Sequence, residues 1–192
     1  MNRQAKIISK KQQKVFLEYL GTTRASTRNK VMFWLSLHGL RAIEVHNLDW
    51  SMVTDSDGNV SNKIEITNKA SKGDNGGRTV WLNDDLKCAL ISLLDESLFK
   101  SGAVVRSERG NSRMGRQSIV DFFQRHYSEI GFEGCSSHSG RRTFITRAAR
   151  KISECGGSLR DIQKIVGHSA LQNTQRYIEQ DTAAQKKVMM VV

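Results

Sequence analysis

The fold class is decided by one segment, Lys63-Ile-Glu-Ile-Thr-Asn-Lys-Ala-Ser-Lys-Gly-Asp-Asn-Gly-Gly-Arg-Thr-Val-Trp-Leu82. Its pattern of apolar and polar residues differs from that of the sequence on either side. Apolar and polar residues alternate over residues 63–67, and residues 78–82 are rich in β-branched and aromatic side chains, so both runs favour β-strands. Residues 68–77 are mostly turn formers and predict a basic hairpin loop. The pattern predicts a small antiparallel sheet of two or three strands within residues 51–82, and we expect three.

The sequence on both sides of this segment follows a helical period. Ser9 followed by Gln12 predicts a capping box, and apolar residues then recur at helical spacing as far as Gly21. The expected helices span about residues 1–20, 23–38, 41–48, 84–98, 117–130, 139–154 and 158–166, with a last one from 173 or 174 towards 190. Because no internal repeat or Pro-rich linker interrupts this order, we expect one mainly helical α+β domain over residues 1–192.

Basic residues outnumber acidic ones, with 30 Lys and Arg against 19 Asp and Glu and a net charge of +11. The isoelectric point near 9.9 indicates a polyanionic partner, and nucleic acid is favoured over a membrane surface. A basic surface that only aids solubility is the alternative. No apolar run could span a bilayer and the charged first residues do not resemble a signal peptide, so we expect a cytoplasmic protein without a membrane partner.

Several common catalytic motifs are absent from the sequence. It contains no phosphate-binding Gly-x-x-x-x-Gly-Lys-Ser/Thr loop, no His-Glu-x-x-His pair and no metal-type spacing of its cysteines. Asp55, Asp57 and Asn59 imitate the start of a calcium-binding loop. Gly58 comes too early in that loop, however, and Ile66 stands where its final Glu should be. We therefore expect neither a metal nor a cofactor.

The remaining candidates for catalytic residues are mostly basic side chains. Arg41, at an expected helix start, is followed three residues later by Glu44, which can hold its guanidinium in a fixed pose. His138 and Arg141 stand one helical turn apart. His168 follows an expected capped helix. Taken singly, each of these fragments is more typical of a solvated surface than of a site.

In their order along the chain, these fragments resemble the motifs of the tyrosine recombinases, the phage integrase family. Gly39-Leu-Arg-Ala-Ile-Glu44 resembles the first arginine motif of that family, and His138-Ser-Gly-Arg141 matches its His-x-x-Arg motif. Leu159-Arg-Asp-Ile-Gln-Lys-Ile-Val-Gly-His168 resembles its Leu-x-x-Ile-Gln-x-x-Leu-Gly-His segment, and Thr174-Gln-Arg-Tyr177 its nucleophile motif. The resemblance covers residues 8–180 and implies the catalytic fold of the family, with a three-stranded antiparallel sheet.

The resemblance implies a site-specific DNA recombinase, or integrase, that cleaves and rejoins strands through a covalent 3′-phosphotyrosine intermediate. Attack on a DNA phosphodiester places negative charge on its non-bridging oxygens, and two arginines can stabilise that charge. The covalent bond between tyrosine and phosphate conserves the energy of the broken bond between the two transesterifications. The family's hairpin lysine, which protonates the leaving 5′ oxygen, is best matched by Lys69, with Lys72 as the alternative. In this scheme His138 passes the phenolic proton and His168 donates to the phosphate. The expected catalytic residues are Arg41, Lys69, His138, Arg141, His168 and the nucleophile Tyr177, supported by Glu44.

The resemblance also implies partners. We expect double-stranded DNA at a specific site and self-association into a tetramer on that DNA, with an accessory DNA-bending protein as a further candidate. Residues 178–192 are expected to dock on a neighbouring protomer. We expect no counterpart in residues 1–192 to the separate N-terminal DNA-clamping domain of most members, so the chain resembles either the short single-domain type or a part of a longer protein. The expected DNA contacts are Arg78, Arg113, Arg116 and Arg142.

The sequence departs from the family pattern at three places. Ser139-Gly140 stands where Asp-Leu is usual, Arg142 replaces a common second His, and Val166 replaces a Leu. None of these is a catalytic position. Two alternatives remain, a topoisomerase-like relaxer that uses the same chemistry and a DNA-binding regulator that has lost catalysis. The complete set of expected catalytic residues argues against the regulator, because a binding protein does not need it.

Overall fold

Eight α-helices and a two-stranded sheet form the described part of the chain, which comprises residues 4–71, 77–175 and 177 of a computed structural model. The helices are α1 (Lys10–Gly21), α2 (Ser26–Leu37), α3 (Ala42–Asn47), α4 (Asp84–Glu96), α5 (Arg116–Glu129), α6 (Ser139–Lys151), α7 (Leu159–Val166) and α8 (Leu171–Gln175). The strands are β1 (Lys63–Ile66) and β2 (Arg78–Trp81), and 3-10 turns cover Trp50–Met52 and Asn68–Ala70. The expected mainly helical α+β fold is confirmed.

Side-chain caps start the helices where the sequence predicts them. The Ser9 hydroxyl accepts from the Gln12 N–H at 3.1 Å, and the Gln12 side chain accepts from the Ser9 N–H at 3.0 Å, which closes the capping box of α1. Asn83 accepts from the Leu86 N–H at 3.0 Å at the start of α4. Each cap satisfies a backbone donor that has no partner within the helix.

Several helix boundaries differ from the expectation. Helix α1 begins at Lys10, after its Ser9 cap, and not near residue 1, and helix α6 ends at Lys151 and not near residue 154. Helix α2 begins at Ser26 instead of residue 23, because the hydroxyls of Thr22 and Thr23 donate to carbonyls of the last turn of α1 and prolong that turn. Helix α8 is described for Leu171–Gln175, and its expected continuation towards residue 190 lies outside the described residues. In the part of the chain that the structure describes, no helix is both long and apolar enough to cross a bilayer.

The predicted third strand of the sheet does not form in the described residues, so that prediction is wrong. Strands β1 and β2 pair antiparallel, with Lys63 opposite Trp81. Before them the chain makes a 3-10 turn and a single bridge between Thr54 and Val60. The Asp55 carboxylate accepts from the N–H groups of Asp57 and Asn59 at 3.0 and 2.9 Å, so tight turns take up the residues before β1 and leave only that bridge.

The hydrophobic core has a large and a small part. In the large part, Phe16 of α1 packs with ring centroids 4.7 Å from Phe33 of α2 and 4.6 Å from Tyr127 of α5. The small part consists of buried Ile145, Ile162 and Val166, between α6 and α7. This small part fixes the end of α7 against α6, and the candidate site lies beside it.

Candidate active site

A cleft of about 730 Å³ lies between the start of α3, the start of α6 and the chain that follows α7. Five of the six predicted catalytic residues line it, namely Arg41, His138, Arg141, His168 and Tyr177, together with the predicted DNA contact Arg142. The fold therefore brings together two guanidinium groups, two imidazoles and one phenol from four distant sequence motifs. The other lining residues are Gln4, Ala5, Ser136 and Asn173.

Arg41 is held by Glu44, as their three-residue spacing predicts. The Arg41 N–H donates to one carboxylate oxygen of Glu44 at 2.7 Å, and its Nη1 donates to the other at 3.0 Å. Glu44 is fully buried, whereas 27% of the Arg41 side chain is exposed to the cleft. The carboxylate thus fixes the guanidinium while leaving part of it accessible.

Arg78, the first residue of β2, is a second partner of the Glu44 carboxylate. Its Nη1 and Nη2 donate to the two carboxylate oxygens at 2.7 and 3.0 Å, in a fork geometry that a lysine cannot reproduce. Burial alone would raise the pKa of Glu44, but the hydrogen bonds and charges of Arg78 and Arg41 hold it below its ordinary value. Glu44 is therefore ionised at neutral pH. The Arg78 side chain is only 6% exposed, a placement that does not fit the DNA contact expected from the sequence.

Three guanidinium groups bind three consecutive backbone carbonyls at the C-terminal end of α7. These carbonyls have no partner within the helix, and positive charge at this end also opposes the negative pole of the helix dipole. The bonds run from Arg78 Nε to Ile165 at 2.8 Å, from Arg141 Nη2 to Val166 at 2.7 Å and from Arg41 Nη2 to Gly167 at 3.0 Å. The end of α7 and the arginines of the cleft therefore hold each other in place.

Arg141 is the more buried of the two cleft arginines. It is 5% exposed, and its Nη1 also donates to the carbonyl of Gly39, the first residue of the Arg41 motif. Burial, and after it the charge of Arg41, lowers the pKa of Arg141 to about 9. The guanidinium still carries its positive charge at neutral pH.

Gly167 ends α7 in the left-handed conformation, with φ of +64°. A Cβ at this position would lie 3.2 Å from Nη1 and 3.3 Å from Cδ of Arg78, so both the backbone and the neighbouring side chain favour glycine. The reversal directs the next residue, His168, into the cleft.

His168 is oriented by residues of α8 and of the cleft. Its Nδ1 lies 2.9 Å from Oγ1 of buried Thr174, and its ring stacks on Tyr177 with centroids 6.1 Å apart. Burial, followed by the positive charges of Arg141 and Arg41, lowers the pKa of His168 to about 4. The imidazole is therefore neutral at pH 7, with one ring nitrogen protonated.

His138 directly precedes α6 and shares the cleft with several cations. Partial burial in the cleft wall lowers its pKa, and the charges of Arg141, Arg41 and Arg116 lower it further. An imidazole with a lowered pKa is unprotonated at neutral pH and can accept a proton.

Tyr177 lines the cleft two residues beyond the end of α8. Its N–H donates to the Thr174 carbonyl at 3.1 Å, and its ring packs against the small part of the core. The Arg142 guanidinium carbon lies 5.9 Å from the ring centroid, and Arg142 Nη1 donates to the Ala5 carbonyl at 3.0 Å. The segment before α1 thereby forms one wall beside the nucleophile candidate.

The structure does not bring every expected residue into the cleft. Lys69 is exposed in the 3-10 turn after β1 and does not line the cleft, and Lys72 lies outside the described residues. Arg113 donates to the Asp49 carboxylate and to a backbone carbonyl of α3, each at 2.6 Å. Arg116 is an exposed first residue of α5.

The sequence did not predict the positions of Thr174 and Arg78. Thr174 stands in the nucleophile segment, six residues after His168, but nothing in that spacing indicates a contact. Arg78 is far in sequence from Glu44, and its burial depends on how β2 packs against α7. Among residues 4–71, 77–175 and 177, no three His, Cys, Asp or Glu side chains are grouped so as to hold a metal ion.

Comparisons with known proteins agree on one family. The sequence model of the phage integrase family matches residues 6–184. Over 72 residues, or 37% of this chain and 22% of the relative, the sequence is 38% identical to the tyrosine recombinase XerC of Pelobacter propionicus. The fold matches the crystal structure of XerA recombinase with a TM-score of 0.75 at 22% identity, over 98% of this chain and 64% of XerA. It matches the XerH site-specific recombinase, bound to a palindromic difH substrate after cleavage, with a TM-score of 0.72 at 19% identity, over 98% of this chain and 53% of XerH.

These matches differ in what they establish. The structural likenesses, at 22% identity and below, establish the fold. The chain spans less than two thirds of the length of each of these relatives. The family model, in contrast, covers nearly the whole sequence, including all four motifs that line the cleft. The chain belongs to the phage integrase family.

Proposed function

We propose that this chain is a site-specific DNA recombinase that cleaves and rejoins strands through a 3′-phosphotyrosine on Tyr177. The observation that supports it is the cleft, in which Arg41, Arg141, His138 and His168 face the same space as the tyrosine. A protein that only binds DNA has no use for a phenol stacked on a neutral imidazole beside two fixed guanidinium groups.

Arg41 and Arg141 bind the phosphate and stabilise the charge that develops on it. Attack on a phosphodiester places negative charge on the non-bridging oxygens, and donors fixed before the reaction stabilise that charge most effectively. Arg41 is fixed by Glu44, and Arg141 by the Gly39 and Val166 carbonyls. A guanidinium carries more N–H groups than these bonds use, so both can still donate to a bound phosphate.

The two histidines and a lysine accept and donate the protons in the proposed reaction. The Tyr177 oxygen attacks phosphorus, His138 accepts the phenolic proton, and the bond to the 5′ oxygen breaks as Lys69 or Lys72 protonates that oxygen. In the tautomer that this step requires, Nδ1 of His168 accepts from the Thr174 hydroxyl, 2.9 Å away, and the proton on Nε2 is donated to the phosphate. Attack by a 5′ hydroxyl of the partner strand reverses the step and rejoins the DNA.

The substrate in this proposal is double-stranded DNA at a specific site. The net charge of +11 favours such a polyanion, and Arg113, Arg116 and Arg142 are the proposed contacts to it. We further propose a tetramer on DNA, to which residues 178–192 of each protomer contribute, with an accessory DNA-bending protein as an additional partner. The setting is the cytoplasm of a prokaryotic cell.

A nicked duplex that carries the recombination site tests the proposal, because loss of the short strand traps the covalent intermediate. The wild-type protein is expected to form a protein–DNA adduct, at the same rate with EDTA present. Tyr177→Phe should bind the duplex without forming it, whereas Tyr19→Phe, which alters a tyrosine bonded to His126 and Glu129 outside the cleft, should form it normally.

Each other outcome contradicts the proposal in its own way. An adduct with Tyr177→Phe would exclude this nucleophile. Tight binding without an adduct in the wild type would instead support a regulator. Relaxation of supercoiled plasmid that lacks the site would support a topoisomerase-like relaxer, and a strict magnesium requirement would exclude the proposed chemistry.

A further inference from the structure

Arg78 joins three elements that support the cleft, although it does not line the cleft itself. It begins β2, its two terminal nitrogens donate to Glu44 of α3, and its Nε donates to the Ile165 carbonyl at the end of α7. With 6% of its side chain exposed, it has little surface to offer DNA. Its contacts instead point to a role inside the protein.

The Glu44 carboxylate is shared between Arg78 and Arg41. One oxygen accepts from Nη1 of both arginines, and the other accepts from the Arg41 N–H and from Arg78 Nη2. Because both oxygens are bound by the Arg78 fork, the carboxylate cannot rotate about its terminal bond without breaking a charged hydrogen bond. The orientation of Arg41 thus depends on Arg78.

The third bond of Arg78 reaches the other side of the cleft. Ile165 directly precedes the Val166 and Gly167 carbonyls, which accept from Arg141 and Arg41. The backbone of Gly167 also approaches Arg78 so closely that a Cβ there would lie 3.2 Å from Nη1. The chain around His168 is therefore built against the Arg78 side chain.

We propose that Arg78 is a positioning residue for DNA cleavage, which holds Glu44 and the end of α7 so that Arg41 and Arg141 are fixed before the phosphate arrives. This inference rests on the proposed recombinase function. It assigns Arg78 no contact with DNA, in contrast to the expectation from the sequence. Arginine is required because a lysine ammonium cannot bind both carboxylate oxygens in a plane and also reach the Ile165 carbonyl.

The test compares Arg78→Lys with a matched control, Arg28→Lys. Arg28 also donates to a carboxylate, that of Glu108 at 2.9 Å, and to a backbone carbonyl, that of Arg106 at 3.1 Å, and it is 12% exposed, but it lies away from the cleft. With DNA saturating, we expect Arg78→Lys to form the adduct about ten- to a hundredfold more slowly, and Arg28→Lys within about twofold of wild type. Affinity for a single site should stay within about threefold in both variants, because neither side chain contacts DNA.

A double-mutant cycle with Arg41→Lys separates positioning from a general structural role. If Arg78 acts partly through Arg41, the double variant should lose less rate than the product of the two single losses, since part of what the second substitution disturbs is already lost. A structural role would instead multiply the two losses. Thermal unfolding measured in parallel gives the folded fraction of each variant.

Several results would overturn the inference. These are a wild-type cleavage rate in folded Arg78→Lys, multiplied losses in the cycle, or a loss confined to DNA affinity. If Arg78→Lys does not fold, Glu44→Gln/Arg78→Gln, which leaves no unpaired buried charge, replaces it, and a wild-type rate in that variant would equally overturn the inference. Absence of an adduct in the wild type, or its presence in Tyr177→Phe, would contradict the proposed function instead.

Discussion

Partial burial keeps the pKa of the His138 imidazole below its ordinary value, and the positive charges of Arg141, Arg41 and Arg116 lower this pKa further. A proton acceptor must be unprotonated, so the cleavage rate should be flat at neutral pH and fall as the pH drops through this pKa. Arg116→Gln removes one cation and raises the pKa, so the fall should begin at a higher pH. Arg116→Lys keeps the charge and should keep the wild-type profile. Single-turnover adduct formation between about pH 5 and 8 measures this, and coincident profiles for all three proteins would exclude His138 as the acceptor.

A second prediction concerns the residue that protonates the leaving 5′ oxygen. An expelled alkoxide needs an acid to protonate it, whereas a thiolate, whose thiol has a pKa of about 8.5, leaves unaided. Sulfur at the bridging 5′ position should therefore restore cleavage by Lys69→Ala. It should leave Arg41→Ala slow, because charge still develops on the non-bridging oxygens. The measurement is the rate of adduct formation on the sulfur substrate divided by the rate on the ordinary oxygen substrate, for each variant.

The alternatives to Lys69 give distinct results in the same assay. Rescue of Lys72→Ala instead would move the acid three residues along the hairpin. Rescue of neither variant would mean that both lysines only bind phosphate, and that His138 or water supplies the proton. The exposed position of Lys69 outside the cleft lining makes this assay the deciding one for the hairpin.

At the residue level, short spacing made some contacts predictable. Glu44 lies three residues after Arg41 on one helix start, so their bond follows from helix geometry. The bond between Glu44 and Arg78 joins residues 34 positions apart and depends on how the sheet packs. An arginine next to a basic hairpin is typical of a DNA contact, and nothing local in the sequence indicates that it is buried.

Close packing between α2 and α6 explains one departure from the family pattern. Gly140 stands where Leu is usual, and a Cβ there would lie 2.8 Å from the Ser36 Cβ and 2.9 Å from its carbonyl carbon. Gly140→Ala should therefore destabilise the protein by about 1–3 kcal/mol, because neither helix can move without disturbing the core. Gly115→Ala is the control, since its Cβ would meet only Ser118 Oγ at 3.5 Å and its φ of −62° suits alanine.

Denaturant unfolding of the two glycine variants measures the effect on helix packing. We expect a lower midpoint with an unchanged slope for Gly140→Ala, and a shift within about 0.5 kcal/mol for Gly115→Ala. Because Gly140 directly precedes Arg141, the first variant should also cleave more slowly. Equal stability of the two variants would mean that α2 and α6 do not pack as described.

At the level of elements, the capped and periodic helices and the two strands of the hairpin were predicted well, and only the number of strands was wrong. Ser9 and Asn83 begin helices because their side chains satisfy local donors, which requires no knowledge of the rest of the fold. In place of the third strand, the described chain makes a 3-10 turn at Trp50–Met52 and a turn held by the Asp55 carboxylate, which leave a single bridge between Thr54 and Val60. A strand needs a partner at the correct distance, and a turn-rich sequence does not specify one.

The whole molecule combines a basic surface with an apolar end of the sequence. Among the described residues, the cleft draws one wall from the chain before α1 and another from the chain after α7, so the site requires the complete domain. The sequence Val188-Met-Met-Val-Val192 follows these parts and would gain little from exposure to water. A second copy of the chain, brought close by DNA, is the partner that we propose for it.

Deletion of residues 183–192 should therefore reduce recombination between two sites much more than binding to one site. Single-site binding uses the charges of one domain, whereas recombination requires protomers to associate, and the apolar residues supply part of that association. Lys186→Ser/Lys187→Ser is the control, because it changes charge in the same segment and keeps all five apolar residues. It should lower binding and recombination together and by a small factor. Gel-shift titration measures the first quantity, and product formation from a two-site substrate measures the second. Equal loss of both in the deletion would mean that the segment serves DNA binding and does not join protomers.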